Sequence, residues 1–70
     1  MEIIFSFHAK EQIKERKIQL VWAEETIKYP DEIIKENNKY YAIKKLNGKT
    51  LKIIYIKERY IKVITLFFIK

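Results

Sequence analysis

Seventy residues with 15 Lys and Arg against 9 Asp and Glu, and no cysteine, make one domain of net charge +6 that no disulfide can staple. A chain this short buries only roughly 60% of the surface it exposes when unfolded; the lack of cysteine excludes thiolate metal sites, and a single histidine argues against a zinc site of the usual kind. The charge favours an anionic partner (nucleic acid, an acidic protein or a membrane surface) over a purely apolar one, with a solvated lysine-rich surface as the plain alternative.

The opening "MEIIFSFHAKE" has an acidic second residue and no long apolar stretch, so it does not read as a signal peptide. No apolar run approaches the roughly 20 residues that span a bilayer. The expectation is a cytoplasmic protein without membrane attachment. Enrichment in Ile, Lys and Glu also suits a heat-adapted or AT-rich source. There is no linker, repeat or low-complexity tract, so residues 1–70 form a single domain.

Residues 2–7 alternate loosely and predict a short strand. Ser6 or the residue after it caps a helix beginning near His8, with Ala9 and Ile13 four apart on a buried stripe and Lys10, Glu11, Lys14 and Glu15 facing solvent. "KIQ" at 17–19 interrupts it. A second helix is expected from about Gln19 to Lys28, with Leu20, Ala23 and Ile27 inward, and Pro30 ends it because the residue before proline is pushed out of the helical region. Beyond Pro30 the period becomes two. "DEIIKENN" predicts a short strand ending in a turn, "KYYAIKKL" a second strand, and Asn47-Gly48 a hairpin turn that needs positive φ at both residues. "KTLKIIYIK" pairs back with Leu51, Ile53 and Tyr55 on one face. "ER" at 58–59 is another tight connection, and "YIKVITLFFIK", apolar on both faces, belongs inside the sheet. The fold class is therefore α+β: an N-terminal strand and two helices packed on one face of an antiparallel three- to four-stranded meander.

His8 follows a strand and opens a helix. It has two readings: a general acid, base or phosphate ligand, or a capping or interface histidine. At about 100° per residue, Gln12 lies about 40° and Arg16 about 80° round the helix from His8, so the three form a polar edge beside the buried stripe. A guanidinium there forks onto a phosphate or carboxylate, or pairs with Glu24 or Asp31. Lysines and rings interleave through Lys39, Tyr40, Tyr41, Lys44, Lys45, Lys52, Tyr55, Lys57, Tyr60 and Lys62. That pattern suits RNA, with lysines on phosphates and rings on bases, and it equally suits ordinary exposed strands. Thr65 is the one small hydroxyl in the apolar last strand, either a satisfied core threonine or a group turned to a site. No Gly-rich phosphate loop, Walker motif or carboxylate pair supports nucleotide or metal-assisted hydrolysis, and no cofactor is implied.

"FSFHAKEQIKERKI", "AEETIKYPDEI" and the terminal "VITLFF" together resemble the prokaryotic family known as domain of unknown function 4258. The matching residues are His8-Ala9 opening a helix, Arg16 and Ile18, the helix-closing Pro30, and Val63-Ile64-Thr65 in the last strand. That family often has Arg where Gln12 stands and Gly where Lys17 stands. It is similar to the RelE-type toxins of toxin–antitoxin systems, which share a fold with the barnase, EndoU and colicin ribonucleases. The resemblance implies a metal-independent endoribonuclease acting by 2′-OH attack, or a non-catalytic nucleic-acid- or protein-binding module that kept the fold. In the first case His8 serves as base or acid, Arg16 holds the phosphate and Thr65 completes the pocket, with Gln12, Lys44, Lys52, Tyr55 and Lys62 binding RNA. The partners implied are RNA and an acidic antitoxin-like protein. The apolar "TLFFI" adds a third expectation, a homodimer through the C-terminal strand.

Overall fold

In a computed structural model, which describes residues 1–69, the chain runs β1 (Ile3–Phe5), α1 (Phe7–Arg16), α2 (Leu20–Lys28), β2 (Glu32–Glu36), β3 (Lys39–Leu46), β4 (Lys49–Lys57) and β5 (Ile61–Ile69). The change of period at Pro30 marks the boundary as expected, with both helices ahead of the whole meander. The sheet has five strands in the order β1-β5-β4-β3-β2. Strands β2 to β5 form the antiparallel meander. The expected antiparallel meander is present, and the N-terminal strand, expected on its face with the helices, instead extends the sheet. β1 joins it parallel to β5, with Ile3 opposite Ile61 and Phe5 opposite Val63. The two helices carry the chain from β1 across the sheet to β2 at the opposite edge, and the meander then returns strand by strand to β5 beside β1. β5 is thereby internal over Ile61–Val63, where β1 pairs with it.

Ser6 sets the start of α1. Its backbone is extended, and its hydroxyl accepts from Ala9 N at 3.1 Å while donating to the Ile64 carbonyl at 2.9 Å. A cap of this kind stabilises by about 1 kcal/mol, and here it also ties the helix to β5. At the other end Lys17 adopts φ 54°, and the amides of Lys17 and Ile18 both donate to Ile13 O. That left-handed step is what breaks the helix at "KIQ", and it turns Ile18 into the core.

In α2 the buried residues are Ala23, Thr26 and Ile27, and the Thr26 hydroxyl donates to Trp22 O at 2.8 Å. Leu20, expected on this stripe, is instead 55% exposed as the first residue of α2. Trp22 packs edge-on against Phe68, centroids 6.2 Å apart. The end of α2 is pinned by Lys44, whose ammonium donates to Tyr29 O at 2.8 Å and lies 3.7 Å from Asp31 Oδ1. A cation placed there complements the negative end of the helix. Asp31 Oδ2 also accepts from Lys45 N at 2.8 Å.

Asn37 (φ 59°) turns β2 into β3, and Asn47 and Gly48 (φ 50° and 80°) turn β3 into β4. Both consecutive positive values at 47–48 match the type I′ geometry read from the sequence. Between β4 and β5 the register slips: Ile54 lies opposite Thr65 but Tyr55 opposite Val63, so Ile64 is an extra, bulged residue.

The core lies on one face of the sheet. Ala42, Leu51, Ile53, Tyr55, Ile61, Val63 and Leu66 pack there under Ala9, Ile18, Ala23 and Ile27 from the helical layer. No helix or strand among the described residues covers the opposite face.

Candidate nucleic-acid interface

Strand register places the side chains of the uncovered face in four cross-sheet rows, since paired residues share a face and neighbours along a strand alternate. Ile4, Lys62, Ile56 and Lys39 form the first row. Thr65, Ile54, Tyr41 and Ile34 form the second; Phe67, Lys52, Ile43 and Glu32 the third; Ile69, Thr50 and Lys45 the last. The surface is thus aliphatic and aromatic with four lysines set into it. Its carboxylates, Glu32 and Glu36, sit on the β2 margin. Ile34 stays 47% exposed and Ile4 39%. Lys52 Nζ stands 5.6 Å from the Tyr41 ring centre, and the Tyr41 hydroxyl donates to Glu36 Oε1 at 3.3 Å. Desolvation raises the Tyr41 phenol above its ordinary value of 10.0, and the Glu36 carboxylate adds to the rise, so the ring is neutral across the physiological range.

The polar edge of α1 borders this face. Gln12 Oε1 accepts from Thr65 Oγ1 and from Leu66 N, the latter at 3.0 Å. His8 and Arg16 lie one turn either side of Gln12, both exposed, separated by about 12 Å along the helix axis. Asp31, a sequence-predicted partner for Arg16, is paired with Lys44 instead.

The sequence-predicted site residues therefore divide. Lys52, Lys62 and Thr65 belong to the open face, and Gln12 joins Thr65 at its border. Lys44 and Tyr55 lie on the other face. Lys44 is held at the end of α2, and Tyr55 is 3% exposed in the core, stacked on Tyr40 with ring centres 5.1 Å apart and planes 4° from parallel. Burial raises the Tyr55 phenol, and the neighbouring Tyr40 adds to it. The interleaved pattern of lysines and rings is one string in sequence, but the period of two splits it between faces: Tyr40, Lys57 and Lys35 cluster on the helix side, with both ammonium groups within 6 Å of the Tyr40 ring centre. Phe67 was not singled out. The bulge at Ile64 shifts the alternation of β5, so that Val63 and Leu66 face inward while Thr65 and Phe67 face out. Among the described residues no three His, Asp or Glu side chains converge as a metal-ligand set.

The first row runs into a small cleft of about 200 Å³ at the β4–β5 turn, lined by Ile56, Glu58, Tyr60 and Lys62. No curated protein and no solved structure matches the chain. The family described as Domain of unknown function (DUF4258) matches residues 5–68, and the chain belongs to that family.

Proposed function

We propose that the protein binds single-stranded RNA across the uncovered face of its sheet. The observation that carries this reading is the set of Lys39, Lys45, Lys52 and Lys62 on one apolar surface with Tyr41 and Phe67, in a chain of net charge +6. Ammonium groups neutralise phosphates and release counterions. Ring and aliphatic surface takes unstacked bases, each stacked base adding about 1–3 kcal/mol. An open sheet face takes the splayed bases of a single strand, whereas a duplex keeps its bases stacked and paired inside. The experiment is titration of labelled single-stranded RNA at low and moderate salt. Tight binding that weakens steeply with salt supports the reading, and absence of binding at low salt overturns it.

A second reading follows from the contact between Gln12 and Thr65. It ties Gln12 of α1, which has His8 and Arg16 one turn to either side, to the border of the same face. In a family similar to the RelE-type toxins, that border is where metal-independent cleavage would occur. His8 takes the 2′-OH proton or returns one to the leaving oxygen, and Arg16 meets the charge of the phosphorane. An acidic antitoxin-like protein in the cytoplasm is the partner that reading implies, and it would compete with RNA for the lysines. A homodimer through β5 has less room. β1 pairs with β5 at Ile61–Val63, and Ser6 and Gln12 bond its edge at Ile64 and Leu66.

A further inference from the structure

The geometry points to a guanine-reading subsite in the cleft at the β4–β5 turn, an inference that rests on the RNA reading above and adds base preference to it. The cleft opens beside the first row of the binding face, because its wall residues Ile56 and Lys62 are themselves a cross-strand pair of that row. Its turn is held in place. Glu58 N donates to Tyr60 O at 2.9 Å, and Ile61 N donates to Glu2 O at 2.9 Å. At about 200 Å³ it is smaller than the roughly 300–1,000 Å³ of sites that enclose drug-sized ligands, a size that suits one base and leaves its sugar and phosphate outside.

Four kinds of residue line it: an aliphatic one, Ile56, an aromatic one, Tyr60, an acidic one, Glu58, and a basic one, Lys62. A surface that only gripped phosphates would gain nothing from a carboxylate at this point, and among the described residues Glu58 makes no ion pair. An ionised carboxylate only accepts hydrogen bonds, so it selects the base edge with adjacent donors. Uracil offers one N–H between two carbonyls. Adenine and cytosine each offer an amino group beside a bare ring nitrogen. Guanine alone presents N1–H and its 2-amino group side by side, matching both carboxylate oxygens in the bidentate manner that makes such pairs strong. Tyr60 supplies the stacking plane, and Lys62 takes the adjoining phosphate.

The test uses labelled oligouridylates carrying one central G, A, C or inosine, each titrated against the wild type, Glu58→Gln and Tyr60→Leu. The expected result is G tighter than A or C by about tenfold, with inosine, which lacks the 2-amino group, between them. Glu58→Gln should abolish the preference without weakening binding of plain oligouridylate, and Tyr60→Leu should weaken the G oligonucleotide most. Equal affinity of the wild type for all four overturns the subsite and leaves the RNA reading standing. A preference for G that survives Glu58→Gln also overturns it. Failure to bind any of the oligonucleotides at low salt removes the RNA reading itself, and the subsite with it.

Discussion

Gln12 and Thr65 meet across the seam between α1 and β5, one residue beyond the bulge at Ile64, and the same Gln12 oxygen takes the amide of Leu66. Ser6 takes the Ile64 carbonyl just before it. The edge of β5 that β1 stops covering at Val63 is thus continued by two side chains rather than by backbone. The bulge exposes polar groups that need partners, and the helix that follows β1 carries them.

Gln12→Ala leaves the Leu66 amide without its acceptor and should lower the unfolding free energy by about 2 kcal/mol, read by urea denaturation. Gln12→Glu keeps the accepting oxygen and should stay much closer to wild type. Gln12→Arg should destabilise as the alanine does, because a guanidinium has no acceptor. An arginine variant as stable as wild type would show that the Gln12 contact does not hold the seam.

Lys17→Gly should raise stability by about 0.5–1 kcal/mol. A side chain in the left-handed region costs about 1–2 kcal/mol, and glycine returns part of that gain through its freer unfolded chain. Lys17→Ala should move stability little, since alanine keeps a Cβ at the same φ of 54°. Thermal unfolding of the three proteins at one pH separates them.

Four lysines on phosphates give an expected slope of about −3 for log K against log salt, at roughly 0.7 per phosphate for a single strand. Lys52→Ala and Lys62→Ala should each reduce that slope by about 0.7. Lys44→Ala should leave the slope unchanged while lowering stability by about 1 kcal/mol through loss of its bond to Tyr29 O. Anisotropy titrations at several salt concentrations provide the slopes. A Lys44 effect equal to that of Lys52 would mean that RNA does not distinguish the two faces.

Tyr55 predicts an alkaline limit. Its folded phenol ionises above the unfolded value of 10.0 because the core excludes the phenolate. The stability it contributes is therefore complete below about pH 10 and is lost as pH rises through the folded value. Stability should fall beyond pH 10 and fall less steeply in Tyr55→Phe. Denaturant midpoints between pH 8 and 11, compared for the two proteins, measure the difference. Identical profiles would assign the alkaline loss to other groups.

If His8 and Arg16 act on one phosphate, His8→Ala and Arg16→Ala should each remove most RNA cleavage, and the double variant should lose little more, as residues acting as a unit do. Both are exposed, so folding should survive. Chelator should have no effect, and the products should carry cyclic phosphate ends. Equal products at equal rates from wild type and His8→Ala would leave RNA binding as the whole function.

Much of this architecture was legible because it is local. Asn47-Gly48 named its own turn, Pro30 marked where helix gives way to strand, and Ala9 and Ile13 set the inward side of α1. The missing parts are those without a local signal. The N-terminal strand itself was legible, but not its parallel pairing with β5, since β1 is three residues long and its partner lies near the other end of the sequence. The bulge at Ile64 shifts which β5 residues face the open side, and no residue type announces it. Lys44 and Tyr55 resemble Lys52 and Tyr41 in composition, and one step of alternation separates core from surface. At the candidate site, helical spacing gave the polar edge of His8, Gln12 and Arg16, whereas the bond from Gln12 to Thr65 needed the seam itself.

The pairing of β1 with β5 also orders assembly in time. The three hairpins of the meander close over short stretches of chain, with two- or three-residue turns between partners. β1 must close a loop of nearly the whole chain for a ladder of three residue pairs, and the entropy of that closure precedes any return from it. The β3–β4 hairpin is therefore the natural nucleus and the docking of β1 the last event. In the folded molecule the same step runs backwards first: the amides on the β1 side of the sheet should exchange with solvent by a local opening that leaves β3 and β4 intact.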